Sequence, residues 1–192
     1  LFQVASGTGG MAQTPFRTMD GTMAANIQFS DCEAQLLVGP ERGFDVLEQM
    51  VERAIIARCA QAVGAMDTAY TATLEYVKTR EQFGVRIGTF QVLQHRLVDM
   101  FIRVKECQAM VLMSAGELAD ADAQARRLCV SGAKTYVGRR ARKVAQEVVQ
   151  MHGGIGMTEE LNIGHFFRYL TQFCTSFGST DHHLKRYAEV SA

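Results

Sequence analysis

Proline is almost missing from the chain, at two residues in 192, while 47% of the residues are apolar. A composition of that kind does not belong to a disordered chain. Neither sign of charge is in excess, because twenty basic residues balance twenty acidic ones. The balance removes any general electrostatic reason to bind DNA, RNA or an anionic membrane, although a nucleotide cofactor needs only a few well-placed groups. No CxxC pair occurs among Cys32, Cys59, Cys107, Cys129 and Cys174, and no histidine pair stands at metal-ligand spacing. Odd in number and set largely among apolar neighbours, these read as reduced, buried thiols of a cytoplasmic protein. A reactive thiol is the alternative at each. No run approaches the roughly 20 apolar residues of a membrane span. The opening LFQVASGTGGMAQ has no basic stretch and no continuous apolar stretch, so it does not read as a signal peptide. It also lacks an initiator methionine and starts abruptly on strand-compatible residues, as a piece of a longer chain would.

What is present divides in two. Residues 1–38 hold short β-compatible pieces, Leu1-Phe2-Gln3-Val4, Thr14-Pro15-Phe16 and Ala25-Asn26-Ile27-Gln28-Phe29, punctuated by glycine and by Asp20-Gly21. The Asp-Gly pair reads as a hairpin turn. Three short strands cannot bury a sheet face alone, so the segment is expected to be the last strands of a larger β-domain.

From about Phe44 the period becomes helical, and residues 43–192 are expected to form one helical domain. A first helix is predicted over about 43–78. Leu93, Leu97, Met100, Val104, Cys107 and Val111 lie on one face of a second. Val130, Ala133, Val137, Ala141, Val144 and Val148 do so in a third, whose opposite face is expected to carry Lys134, Arg139, Arg140, Arg142 and Lys143. The polar, alanine-rich stretch 119–126 is expected to join the two, and Gly153-Gly154 to stop the third. Thr158-Glu159-Glu160-Leu161 offers an incomplete capping box before a fourth helix running to about Gln172. A break around Phe177-Gly178-Ser179 precedes a short fifth helix from about Thr180. The fold class expected is mainly α, an antiparallel four-helix bundle preceded by the strands of a truncated β-domain.

Three motifs carry chemistry, each beside a plainer reading. Arg80-Glu81-Gln82-Phe83-Gly84 reads as a charged helix end with a glycine stop. Alternatively, Arg80 offers its planar donor fork to a phosphate. Gln150-Met151-His152-Gly153-Gly154-Ile155-Gly156 reads as a helix C-cap, or as backbone that a ligand approaches closely. It is not GxGxxG after a strand, so it does not indicate a Rossmann site. Asp181-His182-His183 invites a proton-transfer reading, but neighbours on a helix point different ways, so a solvent-facing or helix-packing pair is the simpler reading.

The order of these pieces resembles one family. Tyr76-Val77-Lys78-Thr79-Arg80-Glu81-Gln82-Phe83-Gly84, then Ile87-Gly88-Thr89-Phe90-Gln91 and Gln94-His95-Arg96-Leu97-Val98-Asp99-Met100, are similar to the acyl-CoA dehydrogenases. So are Ala133-Lys134 and the pattern Gln150-x-x-Gly153-Gly154-x-Gly156-x-Thr158-x-Glu160. The likeness covers essentially the whole chain and is nearest to the small-subunit type of the bacterial enzymes. It implies FAD lying across a subunit interface in a homo- or hetero-tetramer, a dimer of dimers. Arg80, Gln82, Phe83 and Gln91 would contact the flavin of a neighbouring subunit. Gln150, Met151, His152, Gly153 and Gly154 would hold its adenosine and pyrophosphate portion through backbone. Ser179 and Asp181 fall where the family places further FAD contacts. An acyl-CoA substrate, an electron-transfer flavoprotein or similar acceptor, and a role in fatty acid metabolism follow from the same resemblance.

The family's reaction takes an α-proton from an acyl thioester while the β-hydrogen leaves as hydride to flavin, and the proton needs a carboxylate base. The position most members use for it is Phe177 here, and the position a minority use is Ala54. Neither side chain accepts a proton. A substrate-side arginine of some members corresponds to Ile55. The expectation is a subunit of a dehydrogenase complex whose partner supplies the carboxylate, with the 192 residues inactive alone. The rivals are a self-sufficient enzyme with a relocated base, Asp181 or Glu52, and a non-catalytic helical scaffold.

Overall fold

The computed structural model describes residues 1–118, 122–158 and 160–191. The chain divides into two compact units between Arg53 and Ala54.

In the first unit, β1 (Phe2–Gln3) pairs antiparallel with β4 (Gln35–Leu36), and the Leu1 ammonium donates to the Val38 carbonyl at 2.7 Å. β2 (Met11–Arg17) and β3 (Met23–Phe29) form an antiparallel hairpin, in register from Met11↔Phe29 to Arg17↔Met23. Its turn is the expected one. Gly21 takes a positive φ of 87°, and Asp20 accepts from the Thr22 N–H at 3.2 Å and the Thr22 hydroxyl at 2.8 Å. The ribbon covers neither of its faces, since Phe16, Ile27 and Phe29 are 45%, 49% and 58% exposed. Two strands make a single layer, and a layer needs another to bury its apolar side.

α1 (Pro40–Thr79) starts on a proline, which suits the first helical position because the missing N–H would have no partner there. Its residues from Ala54 onward belong to the second unit. There follow a small hairpin, β5 (Glu81–Gln82) and β6 (Val85–Arg86), then α2 (Gln91–Glu117), α3 (Ala123–His152), α4 (Ile163–Thr175) and α5 (Thr180–Ser191). Both predicted apolar stripes are buried, Leu97 to Val111 on α2 and Val130 to Val148 on α3; Leu93 is half-buried. Burying them is what stabilises the helices, at roughly 25 cal/mol per Å² of apolar surface. Cross-helix pairs give the directions. Arg96–Glu147 at 2.8 Å and Arg140–Glu106 at 2.9 Å run α2 antiparallel to α3. The Tyr70–Phe101 rings at 5.9 Å and Lys105–Asp67 at 3.9 Å do the same for α1 and α2. The helical bundle expected from periodicity is present, with α5 laid antiparallel along α3.

Four local expectations change. Lys134 does not lie on the solvent face: it is 1% exposed, because it sits one turn after Val130 and next to Ala133, within the buried stripe. Residues 123–126 are not linker but the first turn of α3, capped by Asp122, which accepts from the Ala125 N–H at 2.8 Å. Residues 119–121 lie outside the described residues. Thr158 does not cap α4. Its hydroxyl donates backward to the Ile155 carbonyl at 3.0 Å, and the N-cap residue of α4 is Asn162; Glu159 lies outside the described residues. Finally, residues 81–84 are not the charged last turn of a helix with a glycine stop: α1 ends at Thr79, and residues 81–86 form a hairpin.

Candidate functional site

The ends of α1 and α3 meet at one end of the bundle. Tyr76, one turn before α1 stops, stacks on the His152 ring at 4.3 Å, and its hydroxyl donates to the His152 carbonyl at 3.4 Å. Beyond α1, Phe83 and Gly84 turn the β5–β6 hairpin with φ of 56° and 78°, the left-handed pair that a two-residue hairpin requires. Phenylalanine is an uncommon residue in that region. The turn throws its ring outward to 91% exposure, with an edge contact to Phe90 at 6.2 Å. The hairpin is tied back through Arg80, whose N–H donates to the Tyr76 carbonyl and whose carbonyl accepts from Ile87, both at 2.8 Å.

Several polar side chains here have no partner within the described residues. Arg80, Gln91 and Gln150 are exposed, and none has a side-chain hydrogen bond or ion pair among the described residues. Gln82 is exposed too, donating from Nε2 to the Glu81 carbonyl at 2.7 Å. Met151 and His152 differ: both are 5% exposed, so a ligand would meet their backbone and not their side chains. Burial lowers the His152 pKa and keeps the ring neutral; Nδ1 lies 2.8 Å from the Val148 carbonyl and is assigned as the donor. Gly153, at φ 64°, and Gly154 are open, with nothing within 4 Å of where a Cβ would stand. Gly156 serves packing instead, since a Cβ there would come within 2.9 Å of the His152 Cβ and 3.0 Å of the Val149 carbonyl.

A second group lies elsewhere. Ser179 and Asp181 are exposed at the start of α5, where Thr135 donates to the Thr180 carbonyl at 3.4 Å and the Thr180 methyl abuts Gly138. From Gly138 to His152 is fourteen residues of α3, or about 20 Å of helix rise. The two groups are therefore not one pocket within this chain. Ser179 caps α5, its Oγ accepting from the His182 N–H at 3.1 Å. Just before it, Phe177 is half exposed at φ 55°. Ala54 is half-buried, and Ile55 and Glu52 are buried at 2% and 1% exposure.

Beneath this turn is a cluster that sequence reasoning missed. The Lys134 ammonium donates to the Phe173 carbonyl and lies 3.9 Å from the centre of the Phe173 ring. Burial pushes the Lys134 pKa down. His183 is 1% exposed while its neighbour His182 faces solvent, and the two rings meet edge to face with centroids 5.2 Å apart. The signal for Lys134 was its place in the 130–134–137 row; nothing local marked His183.

The remaining chemistry is inert. Burial pushes the Cys59 and Cys107 thiols up to about 12 and that of Cys174 upward, so these three stay protonated and unreactive. All five cysteines are free. Among the described residues, no group of three or more His, Cys, Asp or Glu could hold a metal ion, and no helix is long and apolar enough to cross a membrane.

Comparison with known proteins agrees with the fold and the motif order. The family model for "Acyl-CoA dehydrogenase, C-terminal domain" matches residues 41–191. Acyl-CoA dehydrogenase FadE27 of Mycobacterium tuberculosis (strain ATCC 25618 / H37Rv) is 28% identical over 195 residues, covering 97% of this chain and 51% of that protein. Among solved structures, a variant of the Tcur3481-Tcur3483 steroid ACAD is 26% identical with a TM-score of 0.89, covering 100% of this chain and 51% of that one. The ChsE4-ChsE5 complex from Mycobacterium tuberculosis is 26% identical with a TM-score of 0.83, covering 97% and 50%. The chain thus spans about half the length of the relatives it matches. With a family model matching from the start of α1 to the end of α5, the chain belongs to the acyl-CoA dehydrogenase family.

Proposed function

We propose that this chain is a subunit of a flavin-dependent acyl-CoA dehydrogenase whose catalytic carboxylate comes from an unlike partner chain. One contrast carries the reading. A free, exposed edge suited to a dinucleotide is kept, while Phe177 and Ala54 stand where a base would have to be. The family is FAD-dependent, and FAD when bound accepts the substrate's β-hydrogen as hydride.

The residues present fit that cofactor. Arg80, unpaired and exposed, offers two parallel donors to a pyrophosphate. Gln82, Phe83 and Gln91 lie on the same hairpin and helix start, and the open backbone of Gly153 and Gly154 admits close approach beside Gln150, Met151 and His152. Ser179 keeps its hydroxyl proton free to donate, because its lone pair caps α5, and Asp181 stands beside it in the first turn. The about 20 Å between the two groups suits a flavin shared by two subunits, one lending the Arg80 edge and another the Ser179 turn.

Residues 1–38 serve in this reading as the end of a β-domain and 43–192 as the helical-bundle domain, within a hetero-tetramer in the cytoplasm. The steroid ACAD relative makes steroid acyl-CoA thioesters the first class to assay, with an electron-transfer flavoprotein or similar acceptor. The deciding experiment purifies the full-length chain alone and together with a neighbour-encoded homologue, and follows dye-coupled dehydrogenation. Activity is expected only from the pair; full activity from the lone chain would sink the proposal. The 192 residues by themselves are expected to be inactive.

A further inference from the structure

We propose that Lys134 and His183 are positioning residues for the α4–α5 turn, a buried clamp whose side chains hold two backbone carbonyls, those of Phe173 and Phe177, so that Ser179 is presented in one orientation. The inference rests on the flavin reading above for what Ser179 presents, but the clamp itself stands on contacts within the chain.

The turn has reason to be mobile unless held. It follows the last turn of α4, where helix carbonyls lack intrahelical partners, and it carries two consecutive residues of positive φ, Phe177 at 55° and Gly178 at 99°. A phenylalanine persists there only if its surroundings over-determine it. Two side-chain contacts do so. Lys134, reaching from α3, donates to the Phe173 carbonyl, and its charge lies at the negative end of α4. The His183 Nε2 lies 2.9 Å from the Phe177 carbonyl. The His183 side chain thus holds the residue just before Gly178. The backbone N–H of residue 183 donates to the Ser179 carbonyl at 3.1 Å, the first helical bond of α5, which any residue there would make.

The protonation state follows from the partners. A carbonyl can only accept, so Nε2 carries the hydrogen, and Nδ1 is left buried without a partner. That is the neutral tautomer; burial opposes a second proton most, and Lys134 from α3 and Arg186 from α5 add to it, with His182 beside them on α5. The fit around Gly178 is close: a Cβ there would stand 2.7 Å from the His182 Cδ2 and 3.1 Å from the His183 Nε2. On the other side, the Thr180 methyl fills the space above Gly138, so α5 cannot slide towards α3. With its Oγ lone pair committed to the His182 N–H, Ser179 has one rotamer to offer and one hydrogen to donate outward.

The test compares His183→Leu, His183→Asn and His183→Gln in the full-length chain, assembled with its partner. Leucine removes the donor, asparagine keeps polarity but is too short, and glutamine places an N–H near the position of Nε2. Asparagine serves if leucine fails to fold, which far-UV circular dichroism reports. Amide hydrogen exchange of the flavin-free protein is expected to quicken about tenfold or more over residues 176–183 in the Leu and Asn variants and to return towards the parent rate in Gln. FAD titration is expected to follow the same order, with about tenfold weaker binding in Leu and Asn. Parent-like exchange in both variants would overturn the clamp. Quickened exchange with unchanged FAD affinity would overturn the positioning role and leave the flavin reading standing. Quickened exchange in a protein whose parent form binds no FAD would overturn the flavin reading, and the positioning role with it.

Discussion

At the α1–α3 end of the bundle, Arg80, Gln91 and Gln150 hold polar side chains outward, with no partner among the described residues. At the α4–α5 turn the polarity runs inward, where Lys134 and His183 spend their donors on carbonyls of the chain itself. Exposed polar groups with nothing to bind cost little, because water satisfies them. Buried ones are expensive unless every group finds a partner. In the proposed reading the first edge holds the cofactor, while the second is held by the chain itself. Substitutions should separate the two, changing binding without stability at one and stability before binding at the other.

The largest effect is expected from Lys134→Glu, which exchanges a buried donor for a buried carboxylate facing the Phe173 carbonyl. Folding stability measured by urea denaturation should fall by about 3–5 kcal/mol. A loss under about 1 kcal/mol would mean that water reaches the cluster and that the turn is not held from inside.

Arg80→Ala is the counterpart at the open edge. FAD binding, followed by flavin fluorescence, should weaken about 10- to 100-fold through loss of charge-assisted hydrogen bonds. Stability should stay within about 0.5 kcal/mol of the parent, because the guanidinium touches nothing that folding needs. A stability loss with FAD affinity unchanged would reverse the assignment of the two regions.

The two buried histidines add a pH dependence. Burial lowers both His152 and His183, so near neutral pH the unfolded chain, at about 6.5 for histidine, binds more protons than the folded one. Stability is then complete above that unfolded value and falls as pH drops through it, by at most about 1.4 kcal/mol per pH unit for each histidine, levelling off below the folded value. Urea midpoints taken between about pH 7.5 and pH 5.5 should decline, and His183→Gln should remove part of the slope and leave the His152 part. A slope unchanged by that substitution would show that His183 protonates freely in the folded protein.

The smallest effect is expected at Asp181. As an unpaired acid in the first turn of α5 it should contribute about 0.3–1 kcal/mol through the helix dipole. Turnover of the assembled enzyme should survive Asp181→Asn. Turnover abolished with flavin colour retained would instead select the rival reading, a base relocated to this residue.

How far this was readable in the sequence depended on the range of the interaction concerned. The bundle was legible because the stripes Leu97 to Val111 and Val130 to Val148 express a period that burial then satisfies. The hairpin turn at Gly21 and the break at Gly178 were legible because positive φ selects glycine locally. The Arg80 and Gly153 segments could be named as motifs, yet their meeting could not, since it depends on Tyr76 reaching His152 across the bundle. The hairpin at 81–86 was hidden because its turn uses Phe83 in a conformation that sequence rules assign to glycine or asparagine.

By itself, then, the sequence determined the main helices, the apolar faces that join them and the family, all of which follow from periodicity and motif order along the chain. Only the tertiary structure decided which side of Lys134 was in and which of two adjacent histidines was buried. A polar side chain is worth burying only where a carbonyl awaits it, and for Lys134 that carbonyl belongs to a residue 39 positions away.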